Sequence, residues 1–331
     1  MILNPGSSPL SRNIEDYPEG IIIPIDKPYR WTSADVIRKV KYAAIRHFGK
    51  KNLKVGHAGT LDPLATGVLL VCIGKATKLA ETLQSHDKEY VAGVTFGATT
   101  PSYDLEKEID RFFPHDHITA EGVQAVLPGF IGEQDQVAPL FSAKSVDGVR
   151  AYELARKLYK ETGVNPEAAS STDSQSTSDF DTAAESLLRV SRINIAELEL
   201  LSFTSSLEAK PIEAEYGEDM PPPARGCLTE GKTGVFGTSA SSASVDIETE
   251  TKNASSRINV TDNSALGLPR ASIRMACSKG TYVRAFARDL GEALGTGAHL
   301  DSLQRSRSGI FRVENALSVE QAITMLQTPA K

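Results

Sequence analysis

Two kinds of apolar spacing follow one another along this chain of 331 residues, and their order limits the folds open to it. Apolar residues alternate over residues 90–96 and 271–277, and they run without a break over 68–73, as they do in strands. Over 33–47 and from 281 onward they recur every three or four residues, which predicts amphipathic helices. Because strands and helices do not alternate regularly, the pattern indicates an α+β domain.

Local signals mark the ends of both predicted helices. Thr32 followed by Asp35 is the pattern of a capping box, so the first helix should begin at about Ser33 and end near His47. Gly295 predicts the end of the second helix.

Charge is distributed very unevenly, although the formal net charge is only −6. Residues 161–186 and 205–266 are rich in Ser and Thr and carry net charges of −6 and −5. Such segments bury too little apolar surface to offset the entropy of ordering, so we predict two long disordered insertions. The rest of the chain carries about +5, and residues 27–57 contain nine bases against one acid. This patch favours a nucleic-acid partner, with a solvated helix face as the alternative.

Several other functions lack their signatures. The opening residues carry no secretory signal, and the longest apolar run is too short to cross a bilayer, so we expect a cytoplasmic protein without a membrane partner. The three cysteines are odd in number and widely spaced, which supports neither disulfides nor a zinc site. Residues 67–76 have the wrong glycine spacing for a P-loop. His115 and His117 lack a third ligand cluster and are expected in a surface turn, so no metal is predicted.

The segment GHAGTLDPLATG, residues 56–67, places one carboxylate, that of Asp62, among three glycines. Pro63 biases Asp62 toward an extended conformation, and Gly56 and Gly59 permit close approaches that other residues resist. Two interpretations follow from this local pattern. Asp62 either caps a turn or presents its carboxylate to a ligand.

Five blocks of the chain, in order, resemble the motifs of the TruB family of tRNA pseudouridine synthases. They are GIIIPIDKPYRWTS (20–33), GHAGTLDPLATGVLLVCIGKATK (56–78), KEYVAGVTFGATTPSYD (88–104), FSAKSVDGVRAYELAR (141–156) and CSKGTYVRAFARDLGEALGTGAHLDSLQRSRSG (277–309). The resemblance implies the pseudouridine synthase fold, in which a mixed, largely antiparallel central sheet is flanked by helices. It also implies isomerisation of the uridine at position 55, in the T loop of tRNA.

The resemblance assigns roles to individual residues as well. Asp62 matches the catalytic aspartate, and Arg284 matches the arginine that pairs with it. Tyr90 matches the tyrosine that stacks on the target base and is proposed to help remove its C5 proton. His57 matches a histidine that helps hold the flipped-out loop, and Leu303 a residue that contacts the uracil. The same motifs imply three further substrate-binding residues: Gly59, Thr60 and Lys27.

This chemistry requires the base to leave the RNA stack, its N-glycosidic bond to break, and the base to rejoin the ribose through carbon. An arginine beside the aspartate keeps the carboxylate ionised and aligned. Attack on the ribose, attack on the base and assistance of an elimination are all compatible with these residues. The reaction is redox-neutral, so no cofactor is expected.

The resemblance also implies an N-terminal extension over 1–19 and a single catalytic domain over 20–331. The chain ends about twenty residues after the last motif, which leaves no room for the PUA domain of many bacterial relatives. We therefore expect a monomer that recognises the T-arm stem-loop of tRNA without a guide RNA. The alternative is a protein of this fold that binds RNA or assists tRNA folding with little catalysis. The joint presence of the aspartate, tyrosine and arginine favours the enzyme.

Three positions depart from the family pattern. Arg30 stands where glycine is usual, Phe141 where tyrosine is common, and Gln304 where the first arginine of a frequent Leu-Arg-Arg occurs.

Overall fold

The computed structural model describes residues 1–139, 145–146, 149–150, 190–205, 258 and 260–327. The helices are α1 Ser33–Phe48, α2 Ala80–Ser85, α3 Ala120–Val126, α4 Val283–Ala293 and α5 Val319–Gln327. The strands are β1 Ile21–Lys27, β2 Val55–Ala58, β3 Ala65–Ile73, β4 Lys88–Phe96, β5 Ala98–Thr99, β6 Arg111–Phe112, β7 Gly132–Val137, β8 Ser145–Val146, β9 Val149–Arg150, β10 Val190–Thr204, β11 Arg270–Cys277, β12 Ala298–Ser308 and β13 Phe311–Arg312.

Within these described residues, nine strands form one sheet in the order β1-β3-β12-β4-β11-β10-β7, with β2 paired to β3 and β13 to β12. Every pairing in this sheet is antiparallel except that of β3 with β12, which is parallel. The predicted α+β class and the mixed, largely antiparallel sheet are confirmed. The parallel pairing places two segments with predicted site residues side by side, because β3 follows the loop that carries Asp62 and β12 carries Leu303.

Helix α1 begins where its capping box predicts. The Thr32 hydroxyl accepts a hydrogen bond from the Asp35 backbone N–H at 3.1 Å, and the Asp35 carboxylate accepts one from the Thr32 N–H at 3.0 Å. The helix ends at Gly49, whose φ of 61° is the left-handed conformation typical of a helix C-terminus. Val36 and Val40 are fully buried on its inner face, as the periodicity predicts.

Strand β3 is buried along its whole length, which accounts for its uninterrupted apolar run. Leu69 and Val71 belong to the main core, whereas Val68 and Leu70 belong to a second cluster. Because successive side chains of a strand point to opposite faces, both faces of β3 are covered.

The N-terminal extension packs on the domain. Leu3 and Leu10 are fully buried in the main core, and the Leu3 N–H donates to the Ile22 carbonyl of β1 at 2.9 Å. Residues 1–19 therefore contribute to the core beside the first strand.

The last seven residues of the second predicted insertion, 260–266, are not disordered as their composition predicts. Residues 260–266 pack on the domain: the Thr261 N–H donates to the Leu105 carbonyl at 2.8 Å, and Asn263 is buried with its Nδ2 3.4 Å from His299 Nε2. Their Ser, Asp and Asn content is typical of a disordered segment, but hydrogen bonds to residues far away in the sequence fix their position. Residues 206–257 and the whole of 161–186 lie outside the described residues.

Among the described helices, none combines the length and apolar character needed to cross a bilayer. His115 and His117 lie in a loop, as expected. His117 Nε2 is 2.9 Å from the Leu294 carbonyl and His115 Nδ1 is 3.2 Å from that of Phe113, so each ring faces a backbone oxygen.

Candidate active site

A cleft of about 800 Å³ opens at one side of the sheet, where the parallel pair β3–β12 meets the start of α4. It brings together most of the residues that the motifs single out, from segments far apart in the chain. Six of them line it: Gly59, Thr60, Asp62, Tyr90, Arg284 and Leu303.

The loop between β2 and β3 is held firmly around Asp62. The Ser33 hydroxyl accepts from the Leu61 N–H at 3.0 Å and donates to the Leu61 carbonyl at 3.2 Å. On the other side, the Ala65 N–H donates to the Asp62 carbonyl at 3.1 Å. The backbone of Asp62 thus closes the turn, while its side chain is 39 % exposed and contacts Arg284. Asp62 therefore takes part in a turn through its backbone, and its carboxylate stays accessible from the cleft.

Arg284 stands at the start of α4 and is buried between two carboxylates. Its Nε lies 2.9 Å from Asp62 Oδ2 and its Nη1 lies 3.8 Å from Asp104 Oδ2. Nη1 also donates to the Ser102 carbonyl at 3.1 Å. Burial by itself would lower the pKa of Arg284, but the charges of Asp62 and Asp104 outweigh it and raise the pKa above its ordinary value. Arg284 is therefore a permanent cation aimed at Asp62.

Asp104, the second carboxylate beside Arg284, was not identified by the sequence analysis. Its Oδ1 accepts from the Ser102 hydroxyl at 2.5 Å and from the Glu106 N–H at 2.9 Å. Burial raises the pKa of Asp104 to about 6, against the lowering effect of Arg284. The residue closes the motif block 88–104, but it lies in a loop where no periodicity marks it.

Tyr90 of β4 lies opposite Met275 of β11 and offers an aromatic side chain to the cleft. Burial raises the pKa of its phenol, so the ring is neutral at neutral pH. Leu303 of β12 pairs with Ala65 on one side and Ala92 on the other, and it is only 9 % exposed. The two side chains contribute to the apolar lining of the cleft, together with Leu61 and Val283.

His57 is not among the residues that line the cleft. It lies on β2 opposite Val71, two residues before Gly59. Burial, and next the positive charge of Arg305, lower the pKa of His57, which keeps its imidazole neutral at pH 7.

Lys27 occupies a different place from the one expected for a substrate-binding residue. Its side chain is fully buried, and its ammonium group donates to the carbonyls of Trp31 at 2.6 Å, Pro28 at 2.9 Å and Pro63 at 3.1 Å. Burial lowers the pKa of Lys27 to about 7. The lysine points inward from the end of β1 and supports the residue after Asp62, so a direct contact with substrate is not available to it.

Two of the departures from the family pattern have visible structural settings. Arg30 has a φ of 62°, in the left-handed region that favours glycine, and its Nη2 donates to the Ile258 carbonyl at 2.8 Å. Gln304 pairs with Thr66 in β3. Phe141 lies outside the described residues.

One cleft thus brings together a buried arginine, the partly exposed carboxylate that it contacts, and a tyrosine. The family model of the TruB pseudouridylate synthase N-terminal domain matches residues 46–181, and that of the tRNA pseudouridylate synthase B C-terminal domain matches residues 284–328. The chain belongs to the TruB family, which confirms the resemblance drawn from its motifs.

Curated relatives match along nearly the whole chain. It is 40 % identical over 305 residues to tRNA pseudouridine synthase B of Phocaeicola vulgatus, covering 92 % of each chain. It is 36 % identical over 308 residues to tRNA pseudouridine synthase B of Thermus thermophilus, covering 91 % of this chain and 78 % of that one. A more distant likeness is to a crystal structure of a Cbf5-Nop10-Gar1 complex, with a TM-score of 0.47, 21 % identity, and coverage of 92 % of this chain and 54 % of that chain.

Proposed function

We infer that this chain is an isomerase that converts a uridine of tRNA into pseudouridine in the cleft described above. The observation that carries this inference is the Asp62–Arg284 pair, which opens on the cleft beside Tyr90. The names of the curated relatives support the same activity.

The reaction rearranges bonds without adding or removing atoms. The N1–C1′ bond of the nucleoside breaks, a C5–C1′ bond forms, C5 loses its proton, and N1 gains one. The base must leave the RNA stack before this can happen, which costs a few kcal/mol of stacking energy. A cleft of about 800 Å³ can receive an extruded nucleotide.

We assign the essential carboxylate to Asp62, which is partly exposed to the cleft and faces a permanent cation. Arg284 fixes the direction of that carboxylate through the ion pair at 2.9 Å. Tyr90 supplies the face on which the uracil stacks, and Leu303 packs against the ring. Gly59 and Thr60 line the entrance beside Asp62. His57 precedes them on β2, where a neutral imidazole is suited to holding a loop base.

A substitution at Asp62 tests the assignment. Asp62→Asn should abolish pseudouridine formation in unmodified tRNA while tRNA affinity changes by no more than a few fold, because phosphate contacts elsewhere supply most of the affinity. Asp116→Asn, at an exposed turn position outside the lining of the cleft, is the matched control and should keep full activity. Pseudouridine formation by Asp62→Asn at the control rate would contradict the role of Asp62.

The same experiment separates the two candidate functions. A wild-type protein that binds tRNA and forms no pseudouridine would be the RNA-binding or tRNA-folding protein instead.

We also propose that the T-arm stem-loop is the part of tRNA that is recognised, by a monomer that needs no guide RNA. Single-stranded loop bases are where proteins read RNA sequence, and a basic surface can hold the adjoining stem. Lys41, Lys51 and Lys54 line a groove of about 510 Å³ beside β2, on the element that leads to Gly59. Purified protein should therefore modify an isolated T-arm hairpin with no other RNA added. A hairpin that stays unmodified while whole tRNA reacts would refute this part of the proposal.

A further inference from the structure

Arg305 is the largest fully buried side chain among the described residues, and it lies under the loop that carries Asp62. Its Nε donates to the Val68 carbonyl at 2.7 Å, its Nη2 to that of Gly59 at 3.1 Å and its Nη1 to that of Thr60 at 3.3 Å. These oxygens belong to residues on both sides of Asp62 in the sequence. One guanidinium therefore ties the two ends of the aspartate segment to β12.

The sheet is shaped locally to place this side chain. Gln304 pairs with Val91 and Arg307 pairs with Glu89, so two residues of β12, Arg305 and Ser306, face the single residue Tyr90 of β4. Such a bulge redirects side chains. Arg305 reaches the Asp62 loop, whereas the Ser306 hydroxyl donates to Glu89 Oε1 at 2.8 Å.

Gly67, the last glycine of the motif that contains Asp62, belongs to the same arrangement. It pairs with Arg305 in the parallel contact, and a Cβ built at Gly67 would lie 2.3 Å from the Arg305 carbonyl oxygen. Its φ of 96° is also strained for any other residue. The glycine allows β12 to come close enough to β3 for the guanidinium to reach the carbonyls.

We propose that Arg305 is a positioning residue for the isomerisation: it fixes the Asp62 segment, at both ends, against the strand that carries Leu303. The proposal rests on the function inferred above. Arg305 borders the cleft, but only 1 % of the residue is exposed and all three of its guanidinium nitrogens donate to backbone carbonyls, so we assign its effect to the position of the Asp62 segment. A misplacement of about 1 Å at a reacting group can cost about a hundredfold in rate, which is the scale of the expected effect.

Lysine should not replace this arginine. Arg305 uses the three nitrogens of a planar fork to reach three oxygens of a preset spacing, whereas an ammonium is a compact charge on a flexible stem. The site therefore requires the planar geometry of the guanidinium as well as its positive charge. Substitution by lysine keeps the charge and removes the geometry, so it separates the two.

Single-turnover rates and tRNA affinities of Arg305→Lys and Arg305→Ala test the proposal. Both variants should lose about a hundredfold in single-turnover rate while tRNA affinity stays within a few fold. Millimolar guanidinium ion, far below denaturing concentrations, should restore part of the rate of Arg305→Ala and none of that of Asp62→Asn. Arg307→Ala is the matched control: it changes an arginine of the same strand that donates to the Gly309 carbonyl, and its rate should stay near wild type.

Three results would overturn the proposal. They are a wild-type rate in Arg305→Lys, a loss confined to tRNA affinity, and loss of the folded state in both Arg305 variants, which would make the residue purely structural. An inactive wild-type protein would instead contradict the proposed function. Gly67→Ala gives an independent check, because it should lower the single-turnover rate without altering any side chain of the cleft.

Discussion

The most demanding prediction concerns Asp104, because replacing it should make the protein more stable and less active. Burial raises the pKa of Asp104 from its ordinary 3.8 to about 6, even with Arg284 nearby. A carboxyl that ionises near pH 6 when folded and near 3.8 when unfolded destabilises the folded protein by about 3 kcal/mol once both states are ionised. Asparagine has the same shape and no charge, and its amide oxygen can still accept from Ser102 and Glu106.

The sign of the pH dependence follows from which state releases its proton first. Below pH 3.8 both states are protonated and the carboxyl costs nothing. As the pH rises toward 6 the unfolded chain ionises first, so wild-type stability falls through this window and stays lower above it. Asp104→Asn should therefore be more stable than wild type by roughly 1–2 kcal/mol at pH 5 and by roughly 3 kcal/mol at pH 8.

Urea unfolding followed at the single tryptophan, Trp31, which packs against the core, measures both differences. Comparing variant with wild type at each pH cancels the contributions of other titrating groups. Asp116→Asn, at an exposed loop position, serves as the control and should change stability little at either pH. Turnover of Asp104→Asn should fall, because Arg284 loses one of the two carboxylates that orient it. A variant that is less stable than wild type at pH 8, or a stability difference that is equal at pH 5 and pH 8, would refute the reasoning.

Three further predictions address other parts of the molecule. The double variant Lys39→Glu/Lys41→Glu should weaken tRNA binding. The slope of log affinity against log salt concentration should fall by about one for each phosphate that the protein no longer neutralises. Filter binding at several salt concentrations measures both changes. Leu10→Ala should lower the free energy of unfolding by about 2–5 kcal/mol, because truncating a fully buried side chain leaves a cavity. A loss of less than about 1 kcal/mol would mean that the N-terminal segment does not pack on the core. Replacing residues 206–257 with a short Gly/Ser linker should give a more stable protein, in thermal unfolding, than replacing 206–266, because only the longer replacement removes the bond from Thr261 to the Leu105 carbonyl.

The sequence determined those features whose cause is local. The capping box places the start of α1 because Thr32 and Asp35 satisfy each other's backbone N–H groups within one turn. The apolar run of β3 and the alternation of β11 report burial on two faces and on one face, respectively. The ordered motif blocks identified the family, and the cleft brings Asp62 and Arg284 together as those motifs imply.

Composition was less reliable where burial depends on partners far along the chain. Residues 260–266 have the polarity of a disordered segment, yet Thr261 and Asn263 find hydrogen-bond partners in the loops and strands they return to. Lys27 is similar: a lysine at a strand end usually reaches solvent, but here three backbone carbonyls surround its ammonium group.

Only the tertiary structure decided which residues hold Asp62 and its loop in place. Asp104 lies in a loop without periodicity and reaches Arg284 only in the folded chain. The direction of the Arg305 side chain is set by a bulge, which arises where the pairing of β12 with β4 shifts register at Tyr90. Gly67 has its function only once β12 lies against β3. Each of these depends on an approach between segments separated by many residues. A sequence records which side chains are available for such contacts, whereas the packed sheet sets the distances over which they act.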